Sequence, residues 1–321
     1  MNIIITSAHC IHAGTVTQSV NDPDTPNPDR WKKASEPVYK ERINPMQLRR
    51  MNRLMKMSLY TALDAVAQAG LTSPDAVIVG TGMGCLEYTE SFLSCIDENQ
   101  EQTLNPSYFI TSTHNTPAAQ IALYMKCRGY NSTYSHKAFS FEHALIDAAL
   151  LLDEGRASNV LVSAADEITP GYIRILKRLG SAADYGEGAA SFICLPGSVK
   201  TEKRICRIIG AGTASSPEKA RSVLSAIFKN AGIHPARVSL VLSGAAESGG
   251  ERSEHDALLH AVGISAPAEQ YKKICGEYHT SSAFALHHAA GIIGLKNSAE
   301  VVLICNVYKK NNYSFILVSK Y

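Results

Sequence analysis

The stretch GYNSTYSHKAFSFEHALIDAALLL, Gly129 to Leu152, decides how the rest of the chain is read. A β-rich run (Ser132, Thr133, Tyr134) enters a tight turn and continues directly into an amphipathic segment whose apolar positions Leu145, Ala148, Ala149 and Leu152 recur at helical spacing. This is the layout of a nucleophile elbow. A turn of this kind presents one side chain at a helix N-terminus, where backbone N–H groups and the helix dipole depress a thiol's pKa and stabilise a developing oxyanion.

Outward from that stretch, short apolar β-rich runs alternate with longer amphipathic ones, the signature of an α/β layered fold. Strands are predicted at Ile3 to Thr6, Ala76 to Val79, Ser132 to Ser135, Asn159 to Ser163 and Ala190 to Leu195. A second series is predicted at Ile205 to Ile209, Val238 to Leu242, Lys273 to Cys275, Val301 to Cys305 and Ser314 to Val318. The two series are similar in order. AVIVGTGMG (Ala76 to Gly84) in the first echoes SLVLSGAAESGG (Ser239 to Gly250) in the second, each an apolar strand followed by a small-residue turn. The divide falls in the polar, turn-rich segment Pro196 to Lys203, giving halves 1–200 and 201–321 of one duplicated unit. Asn21 to Pro37 is rich in proline, aspartate and asparagine and is expected to run over the surface. Its tryptophan, Trp31, is either an anchor onto the body or part of an interface.

Composition excludes several classes. At 321 residues the chain has room for a substantial core or two fused halves, and its formal charge of +2 argues against a bulk nucleic-acid binder. The eight cysteines form no C-x-x-C pair and several lie in apolar runs, so they read as buried free thiols and not as disulfides or metal ligands. The apolar run at the N-terminus is too short for a signal peptide, and nowhere are there the roughly 18 consecutive apolar residues of a membrane span. A cytoplasmic protein without cofactor or metal is expected.

Four segments, in order, resemble the β-ketoacyl synthases of the thiolase superfamily. The Gly129 to Leu152 stretch is similar to their active-site element, where a strand precedes Thr-Ala-Cys-Ser-Ser-Gly and a helix. YGEGAASFICL (Tyr185 to Leu195) matches their Gly-Glu-Gly-Ala and apolar strand. SSAFALHHAAGIIG (Ser281 to Gly294) matches the helix opening with Gly-His-x-x-Gly-Ala-Ala-Gly, and INPMQLRRMNRLMKMSLYTALDAVAQAGL (Ile43 to Leu71) looks like their long basic-then-apolar helix. More narrowly, FITSTHNTPAAQIALYMKCRGYNSTYSH (Phe109 to His136) looks like the chain-length-factor partners of aryl polyene and flexirubin type synthases. The resemblance implies a thiolase-like, internally duplicated fold layered α-β-α-β-α.

The resemblance also implies a catalytic set that this chain lacks. A condensing enzyme holds its acyl chain on cysteine and uses two polar side chains, usually both histidine, to decarboxylate the extender and stabilise the enolate. The cysteine position falls on Ala138, the first histidine on Ser243, the accompanying lysine on Thr280 and the second histidine on Ala285. His279, His287 and His288 lie close in sequence and are candidates for a substitute, although HHAAG reads equally as a packed small-residue helix. Ser135 and Ser140 flank Ala138 but need a positioned base, which His136 or His143 would have to supply. Glu142 and Asp147 read as a solvated or interface face. GTGMG (Gly80 to Gly84) lacks the spacing of a nucleotide loop and reads as strand-exit glycines.

The implied role is a catalytically silent subunit, a chain-length factor pairing with a cysteine-containing ketosynthase and with an acyl carrier protein. Alternatives are an acyltransferase with a relocated nucleophile and a non-enzymatic acyl-binding scaffold. Phe109, Tyr134, Phe139 and Phe141 are candidates for tunnel wall or interface, or simply for core. Arg49, Arg50, Arg53 and Lys56 fall on one side of a helix expected from Met46 to Gly70, either as a solvated face or as a carrier-docking patch.

Overall fold

Ten strands and eleven helices follow one another in the computed structural model, which describes residues 1–14, 31–100, 102, 104, 106–246, 250–295 and 299–320. The strands are β1 (Ile3–Ile11), β2 (Ala76–Gly80), β3 (Tyr130–Tyr134), β4 (Val160–Asp166), β5 (Gly188–Pro196), β6 (Cys206–Ala214), β7 (Leu240–Ser243), β8 (Ala268–Gln270), β9 (Val301–Tyr308) and β10 (Asn312–Ser319). The helices are α1 (Pro45–Leu48), α2 (Arg53–Ala69), α3 (Leu86–Glu98), α4 (Pro106–Ser112), α5 (Thr116–Met125), α6 (Ser140–Asp153), α7 (Pro170–Arg178), α8 (Pro217–Ala231), α9 (Glu251–Val262), α10 (Lys272–Cys275) and α11 (Ser281–Gly294).

The sheet order β3-β2-β4-β5-β1-β6-β10-β9-β7-β8 contains the same pattern twice. In the first half β2 is parallel to β3 and β4, and β5 is antiparallel to β4 and β1. In the second, β7 is parallel to β8 and β9, and β10 is antiparallel to β9 and β6. The halves join where Ile3 pairs with Ile208 and Ile5 with Cys206.

Alternation along the strands sorts the core into layers. Ala76 and Ile78 of β2, like Leu240 and Leu242 of β7, join a central apolar cluster with α6 and α11. Val77 and Val79 face outward onto α2 and α5, and Val241 packs with residues of α8 and α9. With both faces covered, parallel strands read as continuous apolar runs. The expected α-β-α-β-α layering is therefore realised, with α6 and α11 as the shared middle.

Two expected elements differ. The helix expected from Met46 to Gly70 is broken into α1 and α2, because Asn52 caps a new start: its side chain accepts from the Met55 N–H (3.0 Å) while its amide donates to Glu167 (2.8 Å). The strand expected at Lys273–Cys275 is the short helix α10. The edge strand is instead AEQ at Ala268–Gln270, which pairs in parallel with Val241–Ser243 although it has no β-branched or aromatic residue; pairing overrides propensity there.

Residues 21–30 of the proline-rich excursion lie outside the described residues. From Trp31 onward the chain is fastened to the body, with Lys32 bridging Gly186 and the Ala34 N–H donating to Glu187 (3.2 Å). Trp31 is half-buried beside Lys33. The Gly-Glu-Gly segment is likewise structural. A side chain on Gly186 would overlap the Cys275 carbonyl, and buried Glu187 pairs with Arg53 while accepting from the Ile168 N–H (3.1 Å). Glu187→Ala would strip Arg53 of one of its two carboxylate partners and two N–H groups of their acceptor, and urea denaturation should show a loss of about 3–5 kcal/mol. A loss below about 1 kcal/mol would mean that the pair behaves as an exposed one.

Candidate functional site

The elbow is built as the sequence suggests, with its strain one residue early. After β3 the chain makes a 3₁₀ turn over Lys137–Phe139, and Lys137 takes the left-handed conformation at φ 54°. Ala138 is buried within that turn. Ser140 fastens the turn: its hydroxyl oxygen accepts from the His136 N–H (2.9 Å) and lies 2.7 and 3.0 Å from the carbonyls of Lys137 and Thr81. That engagement with backbone groups makes Ser140 a structural cap, and Ser135 is exposed.

Behind the elbow lies a hub that sequence reasoning did not single out. Asp166, buried at the end of β4, accepts from the Gly82 N–H (2.8 Å) and the Thr81 hydroxyl (3.2 Å) on one oxygen. Its other oxygen accepts from the Thr280 N–H (2.9 Å) and hydroxyl (2.8 Å). The residue at the expected lysine position is thus locked onto a carboxylate. His279 packs so closely over Gly82 that a β-carbon there would lie 2.2 Å from its ring, which explains the central glycine of GTGMG better than a phosphate loop does. The Nε2 of His279 lies 3.4 Å from the Tyr172 hydroxyl, its ring meets Tyr308 edge-on at 5.3 Å, and its Nδ1 is buried with no partner among the described residues. Burial lowers its pKa more than the charge of Asp166 raises it.

A cation is present after all, eight residues before Thr280. Lys272 donates to Glu277 (2.7 Å) and to the Val307 carbonyl (3.1 Å). Beside it Tyr271 donates to Asn306 (2.9 Å), and Gly244 leaves room for all three side chains. Glu142 is corrected from a solvated face to the interior. It accepts from the Ser314 hydroxyl (2.7 Å), its second oxygen has no partner among the described residues, and burial raises its pKa. Asp147 remains half-buried and accepts from the Tyr130 hydroxyl (3.1 Å).

The other expected positions separate. Ser243 ends β7 on the outer side, where its hydroxyl meets His255 Nε2 of α9 at 3.3 Å, while Ala285 is buried in the central cluster. His287 and His288 gather with His9 of β1 and with His12 just after it. Burial first, and then these neighbours, push His287 down to about 4. All eight cysteines are free, and burial raises the thiols of Cys10, Cys85, Cys194, Cys206, Cys275 and Cys305, the opposite of what a nucleophile needs. Among the described residues no group of three or more histidines, cysteines or carboxylates is placed to hold a metal, and no helix is long and apolar enough to cross a membrane.

The aromatic and basic candidates also divide. Phe141 is core, packed on Phe192 at 5.7 Å, and is corrected from a tunnel-wall candidate. Phe139 lines a surface groove of about 450 Å³ with Thr213, Lys219 and Val223. Tyr134 is half-buried on β3, and Phe109 is 58% exposed on α4. Arg53 is corrected from a docking candidate, since Glu36 and Glu187 both pair with it. Arg49 and Arg50 are exposed in the turn between α1 and α2, and Lys56 is half-buried.

The β-ketoacyl synthase N-terminal domain family matches residues 23–186, half of the chain, and the chain belongs to that family. No curated protein matches it. Among solved structures, the ishigamide ketosynthase/chain length factor is 19% identical with a TM-score of 0.79, covering 99% of both chains. A type II polyketide ketosynthase bound to its acyl-carrier protein and a hexaketide is 14% identical with a TM-score of 0.80, covering 100% of this chain and 99% of that one. A β-ketoacyl synthase from Burkholderia phymatum STM815 has the same TM-score and coverage at 13% identity. These likenesses establish the thiolase-like ketosynthase fold.

Glu142 supplies a pH test of the buried centre. Its folded pKa lies above the ordinary 4.5, so the stability that its protonated form contributes is fully present below the unfolded value and is lost as pH rises through the folded one. Glu142→Gln keeps the shape without the ionisation. It should match the parent at pH 4 and equal or exceed it at pH 7 in thermal unfolding. A variant less stable than the parent at pH 7 would show that the carboxylate form is the one the fold prefers.

Proposed function

We propose that this chain is the non-condensing member of a ketosynthase pair, a chain-length factor for polyketide or polyene synthesis of the aryl polyene and flexirubin kind. The observation that carries the reading is Ala138. The elbow is intact, its helix enters the shared middle layer, and the side chain at its apex is a methyl group. Thr280 bonded to Asp166, Ser243 turned toward α9 and Ala285 in the core support the same reading, because none leaves a base or an enolate stabiliser facing the elbow.

What such a subunit retains is a surface. Among the described residues β3 ends the sheet and pairs only with β2, so its other edge offers backbone groups to a second chain. Around it Leu123 of α5, Tyr130 of β3 and Leu150 of α6 expose large apolar side chains, as do Phe109 and Ile110 of α4. The partner is a cysteine-containing ketosynthase, and Phe109, Tyr134 and Phe139 are the residues placed to shape its tunnel. Arg49, Arg50 and Lys56 form the patch that attracts an acidic acyl carrier protein.

Incubated with malonyl-carrier protein, the purified chain should release no carbon dioxide and acquire no acyl adduct. Co-expressed with a cysteine-containing ketosynthase it should give a one-to-one complex in which bulk changes at Phe109 or Phe139 move product length more than rate. Turnover by the chain alone would replace this reading with a relocated nucleophile. A ketosynthase that neither co-purifies with the chain nor needs it for full-length product would replace it with an acyl-binding scaffold.

A further inference from the structure

The elbow carries two histidines in direct contact. His136, in the turn after β3, and His143, on the first turns of α6, face each other edge-on with ring centroids 4.8 Å apart, and their Nδ1 atoms are separated by 2.6 Å. On its far side His143 Nε2 reaches the Thr213 hydroxyl of β6 at 3.3 Å. Tyr134 of β3 lies edge-on to both rings, at 5.9 and 6.2 Å, and Phe139 leans on His143 at 6.0 Å. The contact thus links the edge strand, the elbow, α6 and β6.

A 2.6 Å contact between two Nδ1 atoms holds one proton and no more. One ring donates and the other accepts. A first added proton goes to the free nitrogen of the donor ring, leaving a charge-assisted bond in place. A second must go to the accepting Nδ1, which sets two N–H groups and two positive charges against each other at that distance.

The surroundings offer the doubly charged pair little relief. Lys137 of the same turn is positive, and Lys219 of α8 lines the groove shared by Phe139 and Thr213. Asp147 of α6 is the nearby carboxylate, and it is already bonded to the Tyr130 hydroxyl. β10, which packs on the turn, contributes only Tyr313 as a titratable group, and that side chain belongs to the outer cluster. Burial and the charge of His136 together lower the affinity of His143 for a proton.

We propose that the His136–His143 pair is a proton-operated clasp on the partner-facing elbow, closed while it carries at most one extra proton and opened by the second, with release of the partner ketosynthase. The proposal rests on the reading of β3 as the partner edge. It adds a regulator to that edge, since opening frees Tyr134 and Phe139 from the rings that hold them.

The test has two arms. In the isolated chain, NMR titration of ¹³C-labelled histidines should show the pair taking up its two protons in separate steps, the second below the ordinary value for histidine, and His143→Phe should remove that separation. Both rings titrating together near the ordinary value would overturn the clasp whatever the partner does. In the second arm, affinity for the partner ketosynthase should fall in the parent as pH drops through the pair's second protonation step, by roughly tenfold per pH unit below that step, and His143→Phe should flatten that dependence. A two-step titration with parallel affinity profiles for parent and variant would overturn the coupling to release. A two-step titration with no complex at any pH would overturn the pairing reading and, with it, the release role of the clasp.

Discussion

One buried carboxylate ties the two halves together at the place where chemistry is expected. Asp166 takes four hydrogen bonds, two from the loop after β2 and two from Thr280 at the mouth of α11, so a residue of the first half sets the entrance of a helix belonging to the second. Such a group is tolerated in the interior only because every donor it faces is satisfied by it. Much else follows. With Thr280 committed, the chain turns His279 down onto the backbone of Gly82, and only a glycine fits beneath it. Lys272 is then a half-buried cation of this centre, neutralised by Glu277.

On the proposed reading, the centre is a structural network at the position of a catalytic one. Its charged members are paired, and the titratable groups left incompletely satisfied, Glu142 and His279, are both shifted toward their neutral forms. A network of this kind fixes geometry and resists charging. Open to other molecules at the surface are the edge of β3, the apolar side chains around it and the exposed arginines between α1 and α2.

Much of this was legible in the sequence, and the exceptions have physical causes. The alternation of apolar runs gave the duplicated order, and the elbow announced itself through a β-rich run abutting a helical one. The position of β8 is hidden because Lys273–Cys275 has the apolar residues and Ala268–Gln270 has the partner strand, and periodicity does not see partners. The break before α2 was written in Asn52, a capping residue overshadowed by the apolar stripe that follows it. The charge of Glu142 argues for solvent, and a buried hydroxyl waiting across the core, that of Ser314, overrides it. For Asp166 a signal did exist: a carboxylate at the end of an apolar strand, followed by Glu-Ile-Thr-Pro, marks an acid carried into the interior by its strand.

Amide hydrogen exchange on the isolated chain and on the chain mixed with a cysteine-containing ketosynthase measures the pairing most directly. The account predicts that Tyr130–Tyr134 exchange readily in the isolated chain and become strongly protected in the mixture, while α8 and α9 on the opposite layer are unchanged. Equal exchange across β3 in both samples, or protection confined to α8 and α9, would contradict it.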